Sequence, residues 1–403
     1  MSNSHRRTMV SLLTISFLNS GGVFVALPIM PLYAHQALQL SIAQIGTLSA
    51  IWPTATLLLS TPLGILGEKI GYANIIRASL SAGVAAYFLM GLHQSVLAFA
   101  TGLLLFGCSK AAINSTVRAA MTRVCEPHKR ERYFRFRYLL INCGGALGPL
   151  CGIYLYNCYG ALAFLGSCAL LLLALLTAIF GVRPEEMPPC SNNQKISMWD
   201  SVQLLADRRL FLWTLSFALV LASFGAYETF IPIVAANSVN TRPQAGLLFS
   251  INAVTVVAFQ ALHFRLFKRC SSKQNCVSGF LLMVLGFFLI SFEWNAFVLS
   301  IVGVIIFSIG ETFLFPSFDT LLDQIAPEDR KALYFGAGET KQIGFLLGPI
   351  GGGFAYAQFG SSTLLILCAV LILISAILFR FVFQATKPDD AAKDAINPRQ
   401  FMP

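Results

Sequence analysis

The sequence predicts an all-α integral membrane protein built from two bundles of six transmembrane helices. Hydrophobic residues make up 56% of the chain and charged residues only 11%, against roughly 45–50% and about 25% in an ordinary soluble domain. Apolar runs of about 20 residues, the length that a helix needs to cross a hydrocarbon layer of ~30 Å, recur along the chain. We count twelve such spans and number them in chain order: 9–33, 42–63, 73–91, 96–118, 137–157, 161–181, 210–236, 244–265, 276–293, 297–317, 336–357 and 361–383.

The two halves of the chain are related by an internal repeat with an offset of 200 residues. The stretch Pro127–Gly160 aligns without a gap with Pro327–Gly360, and nine positions are identical. Single matches such as Gly46 with Gly246 extend the repeat toward the start of each half. A repeat of this kind predicts two bundles of like fold, related by a pseudo-twofold axis along the membrane normal.

Lysine and arginine residues are distributed unevenly among the loops that join the spans. Of the 28 Lys and Arg residues, only Arg242 falls in the loops that face outward if the N-terminus is cytoplasmic. Because cytoplasmic loops carry an excess of basic residues, we expect both termini to be cytoplasmic, in a bacterial inner membrane. The net charge of +10 is explained by this asymmetry and by attraction to the lipid bilayer, so no nucleic-acid partner is expected.

The composition divides the chain into four segments. Residues 1–181 are predicted to form the N-terminal six-helix bundle, and residues 210–383 the C-terminal one. The proline-containing linker at 182–209 carries a capping-box pattern that predicts a short helix on the inner membrane surface. The polar tail at 384–403 is predicted to be disordered.

Signatures of enzymes and of bound cofactors are missing from the sequence. The 10 Cys residues show no CxxC pairing, so we interpret them as small packing residues and expect neither a disulfide framework nor a metal site. HExxH and GxSxG motifs are absent, and so is a nucleotide-binding loop of the GxxxxGK[ST] type. We therefore expect no enzyme and no cofactor, and an energy source that is an ion or substrate gradient.

Polar and charged residues inside the spans are the candidate functional residues. An ionisable group within a membrane helix costs at least about 2.5–3.5 kcal/mol, so it is expected to face protein or water. Two spans carry such residues at a spacing of four, which places them on one helical face: Lys110, Asn114 and Arg118 in the fourth span, and Glu311, Phe315 and Asp319 in the tenth.

These residues allow a functional and a structural interpretation. Lys110 and Glu311 are expected to bind substrate or to couple transport to protons, the alternative being a static ion pair between the halves. Asn19 lies in a first span that contains adjacent glycines and two prolines, which is typical of a cavity-lining helix. Glu228 in the seventh span is the second candidate for proton coupling, because an apolar wall favours the neutral form of a carboxyl group. An outer-gate hydrogen bond is the alternative for Glu228.

Two motifs resemble those of the major facilitator superfamily. The loop after the second span contains Gly64, Leu66 and Gly71, as in the family's G-x-L-a-D-r-x-G-r-k motif, although Glu68 replaces the aspartate. In the fifth span the resemblance is to the G-x-x-x-G-P-x-x-G-G stretch that marks proton-coupled exporters of the family. That stretch occurs twice, as the helix-packing residues Gly144, Gly148, Pro149 and Gly152 and again as Gly344, Gly348, Pro349 and Gly352.

The resemblance covers essentially the whole chain and implies the family's fold of two six-helix bundles. It also implies that the glycine stretch lies at the joint between the halves. The sequence departs from the exporters at Leu103, where they often have an arginine, so proton coupling through that arginine is not expected. Among known subgroups, the chain is most similar to bacterial multidrug-type exporters.

A charge cluster is predicted to form a gate at the inner end of the spans. Such pairs are expected to stabilise the outward-facing state by about 0–1 kcal/mol each where they are exposed to solvent. The expected partners are Glu68 with Arg118 or Arg123 in the first half, and Asp319 with Arg330 or Lys341 in the second.

The resulting prediction is a secondary transporter that works by alternating access, with a small-molecule substrate near the membrane midplane. The leading hypothesis is proton-coupled efflux of an amphiphilic, drug-like molecule by a monomer. The alternative is an exporter or proton-coupled importer of an anionic metabolite, such as a carboxylate siderophore, because Lys110 could bind a carboxylate. A less favoured hypothesis is a protein with a transporter fold that acts as a sensor.

Overall fold

The computed structural model describes residues 3–126, 129–187, 206–238, 243–266, 271–292, 297–326, 334 and 337–384. All regular elements in these ranges are helices. Most of the linker with its expected surface helix, and the tail from residue 385, lie outside the described residues.

Thirteen α-helices lie in the described ranges, and together they cover most of each predicted span. We name them α1 (Asn3–Ala26), α2 (Ile29–Gln36), α3 (Ile42–Ser49), α4 (Ile51–Ile70), α5 (Tyr72–Leu92), α6 (Val96–Val124), α7 (Arg130–Tyr159), α8 (Phe164–Gly181), α9 (Arg208–Ser238), α10 (Pro243–Leu266), α11 (Ser272–Ser291), α12 (Phe297–Ile325) and α13 (Ile343–Gln384).

Local chemistry explains where these helices break. The first span is interrupted between Ala26 and Ile29, next to Pro28, because a proline has no N–H to donate to the preceding turn. Gly160 (φ 58°) separates α7 from α8, and Gly360 (φ 83°) breaks α13 into the eleventh and twelfth spans. Glycine tolerates this left-handed backbone because it has no Cβ. The two breaks are 200 residues apart, as the repeat requires.

The described helices match the predicted all-α membrane architecture. Within the described ranges, nine helical stretches are long and apolar enough to cross a membrane. Two of them, 136–181 and 339–382, are about twice the necessary length and contain the breaks at Gly160 and Gly360. The apolar part of α10, Leu247–Phe259, is shorter. Counting both parts of the two long stretches, and α10, gives the twelve expected spans.

The same helix pairs pack together in both halves. In the first half α1 packs on α7 and α8, and α5 packs on α6. In the second half α9 packs on both parts of α13, and α11 packs on α12. The halves meet through α7 against α10 and through α3 against α13, two contacts that the repeat relates to each other.

The glycine stretches place two helices of each half in backbone contact. A Cβ atom at Gly148 would lie 2.7 Å from the Cβ of Phe24 in α1, and one at Gly348 would overlap the carbonyl oxygen of Ala222 in α9. These positions occupy equivalent places in the two halves. The resemblance placed this surface at the joint between the halves, and one edge of it does lie there, because a Cβ atom at Gly145 would be 3.6 Å from the Cβ of Ala253 in α10. The packing glycines face the first helix of their own half, because only glycine allows so close a backbone approach.

The end of the bundle that the charge pattern predicts to be outer is closed by a glycine contact between the halves. Gly46 in α3 lies against the carbonyl oxygen of Pro349 and the Cα of Gly353 in α13, and a Cβ atom there would overlap Pro349. A larger side chain at this position would therefore hold the two helices apart, since a backbone carbonyl inside a helix cannot move aside.

We expect Gly46→Val to shift the protein toward a state that is open at this end. Spin labels at the exposed residues Gln94 and Gln358 should then be farther apart, as measured by pulsed electron–electron double resonance. Gly64→Val is the matched control, because a Cβ atom at Gly64 meets open space. An unchanged distance distribution in Gly46→Val would contradict the role of this contact.

Candidate functional site

Lys110 lies in the middle of α6 and stacks on an aromatic ring. Its Nζ atom is 3.9 Å from the ring centroid of Trp52 in α4 and 5.8 Å from that of Phe106. Among the described residues no carboxylate forms an ion pair with it, so a static pair with Glu311 is not realised. The ring face attracts the ammonium group through a cation–π interaction. The acidic group whose charge acts on Lys110 is Glu228, from α9 in the other half.

Glu311 in α12 is held by an amide side chain from a neighbouring helix. The Nδ2 atom of Asn252 in α10 donates a hydrogen bond of 3.0 Å to Glu311 Oε2, and the same atom lies 2.9 Å from Ser308 Oγ. The charge of Glu228 acts on Glu311 as well as on Lys110. The structure thus brings together one cation and two carboxylates near the middle of the bundle.

The hydroxyl group of Tyr227 lies in the electrostatic field of both carboxylates. The ring packs against Phe307 and Phe287, with centroids at 5.0 Å and 5.8 Å. Its buried oxygen has no hydrogen-bond partner in the described part of the chain. A buried polar group without a partner is costly, which is typical of a functional position.

A row of aromatic rings connects the two sides of this charged site. Neighbouring ring centroids in the row are 5.6–5.9 Å apart: Phe106 to Trp52 is 5.6 Å, Trp52 to Phe345 is 5.6 Å, Phe345 to Phe224 is 5.9 Å, and Phe224 to Phe315 is 5.8 Å. We call these five residues the aromatic row. The row begins beside Lys110 in the first half and ends at Phe315, one turn from Glu311, in the second.

Asn19 and Lys110 line the same cavity in the first half. The cavity has a volume of about 180 Å³ and lies between α1, α6 and α7. Asn114 belongs to the described part of α6, but its side chain lies outside the described atoms.

The charges at the predicted inner end are only partly described. Lys341 Nζ lies 3.7 Å from Asp319 Oδ1 and 3.6 Å from Glu339 Oε1. Both partners of the Lys341–Asp319 pair belong to the second half, so this pair ties α12 to the 3-10 turn Glu339–Gln342 that precedes α13, and it does not bridge the halves. The charge of Arg118 acts on Asp319 from the first half. Arg123 is exposed, while the Glu68 side chain and Arg330 lie outside the described atoms.

Three residues of this site were not predicted from the sequence. Asn252 is an amide inside an apolar run, the same signal that drew attention to Asn19. Trp52 and Tyr227 carry no such signal, because aromatic residues are common in membrane helices. Their contacts with charged groups depend on the packing of different helices.

Comparison with known proteins gives a consistent family assignment. The model of the Major Facilitator Superfamily matches residues 12–338 and, overlapping them, 214–401. The uncharacterized MFS-type transporter YdeE of Escherichia coli is 25% identical over 382 residues, covering 94% of this chain and 96% of that protein. The quinolone resistance protein NorA of Staphylococcus aureus is 24% identical over 336 residues, covering 82% of this chain and 84% of NorA.

Solved structures of transporters share the fold. The nucleoside transporter NupG, as a D323A mutant, superimposes with a TM-score of 0.78 at 16% identity, covering 93% of this chain and 100% of that one. An inward-facing bacterial homolog of the human lysosomal transporter Spinster gives a TM-score of 0.77 at 14% identity, covering 99% and 100%. At these identities the likeness extends to the fold alone.

Proposed function

Because the chain belongs to the Major Facilitator Superfamily, whose members are membrane transporters, we propose that it exports a small amphiphilic molecule in exchange for protons. The observation that carries this proposal is the group of two carboxylates, Glu228 and Glu311, and the cation Lys110, in which the charge of Glu228 acts on both of the other groups. With all three groups ionised the cluster holds one net negative charge, and one bound proton or one cationic substrate neutralises it. Since charge is costly in an apolar interior, proton and substrate compete for the same place.

This competition produces exchange if the cluster faces one side of the membrane at a time. The halves are in contact through α7 with α10 and through α3 with α13, and rocking of one half against the other moves access from one side to the other. A proton taken up by the carboxylates from outside is released inside when substrate displaces it. Asn252 holds the Glu311 carboxylate in place for this transfer.

The aromatic row supports an amphiphilic substrate. Five rings offer apolar, adaptable contact area next to the charges, the combination that suits ligands with an apolar body and a charged group. NorA, one of the relatives, is named a quinolone resistance protein, which favours a drug-like molecule here. Structural neighbours described as nucleoside and peptide transporters offer no such support, because they share only the fold.

A second candidate function is export, or proton-coupled import, of an anionic metabolite. The observation that favours it is that Lys110 has an aromatic ring as its close neighbour and no directly paired carboxylate among the described residues. An ammonium group placed this way can bind a substrate carboxylate.

Proton release from reconstituted vesicles distinguishes these functions. With a pH-sensitive dye inside proteoliposomes, we expect ethidium, a lipophilic cation, to drive proton movement in the opposite direction to its own transport. Movement only with an organic anion such as 2-naphthoate would support the second candidate. If neither compound moves protons, the proton-coupled proposal fails and a uniporter or substrate exchanger replaces it.

A further inference from the structure

The cavity beside Lys110 is lined by hydroxyl, amide and ammonium groups and by apolar side chains. Its polar residues are Ser16, Asn19, Ser20, Ser109 and Lys110. No acidic side chain is among the described residues that line it. Hydroxyl and amide groups can donate as well as accept hydrogen bonds, whereas the lysine only donates and carries a positive charge. The lining can therefore bind an anion, and the lysine favours one.

Two of these donors are available to a ligand, and two are already used. Ser20 Oγ donates to the carbonyl oxygen of Ile141 at 2.7 Å, and Ser16 Oγ donates to that of Leu12 at 2.9 Å. The Asn19 amide and the Ser109 hydroxyl make no hydrogen bond within the described structure. Together with the Lys110 ammonium they form a set of three groups on two facing helices, α1 and α6.

A second positive charge lies at the edge of the same cavity. Arg137 Nε in α7 donates a hydrogen bond of 3.1 Å to Ser16 Oγ, which itself lines the cavity. The charge of Arg118 also acts on Arg137. Lys110 and Arg137 therefore place two positive charges around a space whose described lining has no acidic side chain, although the charge of Glu228 also acts on Lys110. Such charges attract an anion in a region of low dielectric constant.

The size of the cavity restricts what it can hold. Its volume of about 180 Å³ is smaller than the roughly 300–1,000 Å³ of a pocket for a drug-sized ligand. The cavity therefore fits one end of a substrate and not the whole molecule. Phe106 lines the cavity and is the first ring of the aromatic row, so the rest of the molecule has a continuous apolar path toward the second half.

We propose that this cavity binds a carboxylate group of the transported molecule, while the aromatic body of that molecule lies along the aromatic row. The carboxylate accepts hydrogen bonds from Lys110, Asn19 and Ser109. This inference rests on the second candidate function proposed above and names the substrate class and the residues that would bind it: an amphiphile that carries a carboxylate. A positively charged group at the other end of the molecule would meet Glu228 and Glu311.

Binding of three probes with the same ring tests the assignment without any gradient. Isothermal titration calorimetry on the full-length protein in lipid nanodiscs compares 2-naphthoate, 2-naphthamide and 2-naphthylmethylammonium. We expect 2-naphthoate to bind about tenfold more tightly than 2-naphthamide, because a charge-assisted hydrogen bond contributes more than a neutral one. Lys110→Gln should remove this preference, and Lys110→Arg should keep most of it.

Two further variants and a control complete the test. Ser109→Ala and Asn19→Ala should each weaken 2-naphthoate binding by about tenfold while changing 2-naphthamide binding less. Lys273→Gln removes a lysine at the start of α11, away from the cavity, and should leave all affinities unchanged. Ser109→Ala is the deciding variant if Lys110→Gln does not yield folded protein, because loss of one buried hydroxyl leaves the helix packing intact.

The inference is overturned if the wild-type protein does not prefer 2-naphthoate, or if the preference survives in both Lys110→Gln and Ser109→Ala. Its failure is distinct from failure of the transport proposal. A protein that moves protons without preferring 2-naphthoate contradicts only the carboxylate site. One that prefers 2-naphthoate but moves no protons contradicts only proton coupling.

Discussion

Replacing Glu311 by glutamine should abolish proton-driven export and leave downhill substrate exchange in place. Glutamine has nearly the shape of glutamate, and its side-chain oxygen can still accept the hydrogen bond that Asn252 Nδ2 donates over 3.0 Å. It cannot bind or release a proton. Uphill transport driven by a pH gradient in proteoliposomes should therefore fall to the level of protein-free vesicles, while counterflow of labelled substrate continues.

A matched control separates this effect from a general change of charge. Glu185 is an exposed glutamate that follows α8 outside the site, and Glu185→Gln should transport at the wild-type rate. If Glu311→Gln still accumulates substrate against its gradient, the carboxylate does not carry the coupling proton. Glu228 would then be the remaining carboxylate of the cluster.

The fold could be predicted because its main signals are local. Span length depends on composition, and the breaks at Pro28, Gly160 and Gly360 follow from the backbone chemistry of single residues. The repeat added long-range information, since two stretches of like sequence have to adopt like structures. Gly148 and Gly348, which the repeat pairs, both pack on the first helix of their own half.

The candidate site could be predicted only in part. A charge inside a span is visible in the sequence, and this identified Lys110, Glu228 and Glu311. Their partners are not visible, because Trp52 reaches Lys110 from α4 and Asn252 reaches Glu311 from α10. The helix on which each packing glycine lies could not be predicted either, since a small-residue pattern shows a close contact but not the helix that makes it.

Replacing Gly344 by alanine should be the most destabilising single-methyl change in the glycine stretch of α13. The added methyl group would overlap the carbonyl oxygen of Ala218 in α9, and neither backbone can move without separating the two helices. Overpacking of this kind costs about 1–3 kcal/mol. We expect the purified protein in detergent to have a lower apparent melting temperature. Tryptophan fluorescence, or the fluorescence of a thiol-reactive dye, measures it during heating.

Gly351, two turns away in the same helix, is the control that isolates this effect. A Cβ atom at Gly351 meets no other atom within 4 Å, so Gly351→Ala adds the same methyl group without a collision. Because alanine has a higher helix propensity than glycine by roughly 0.8–1.0 kcal/mol, the melting temperature should stay the same or rise slightly. If both variants have the same melting temperature, α9 and α13 are farther apart at Gly344 than the structure shows. A loss of stability in Gly344→Ala alone shows that the repeated glycines are retained for helix packing.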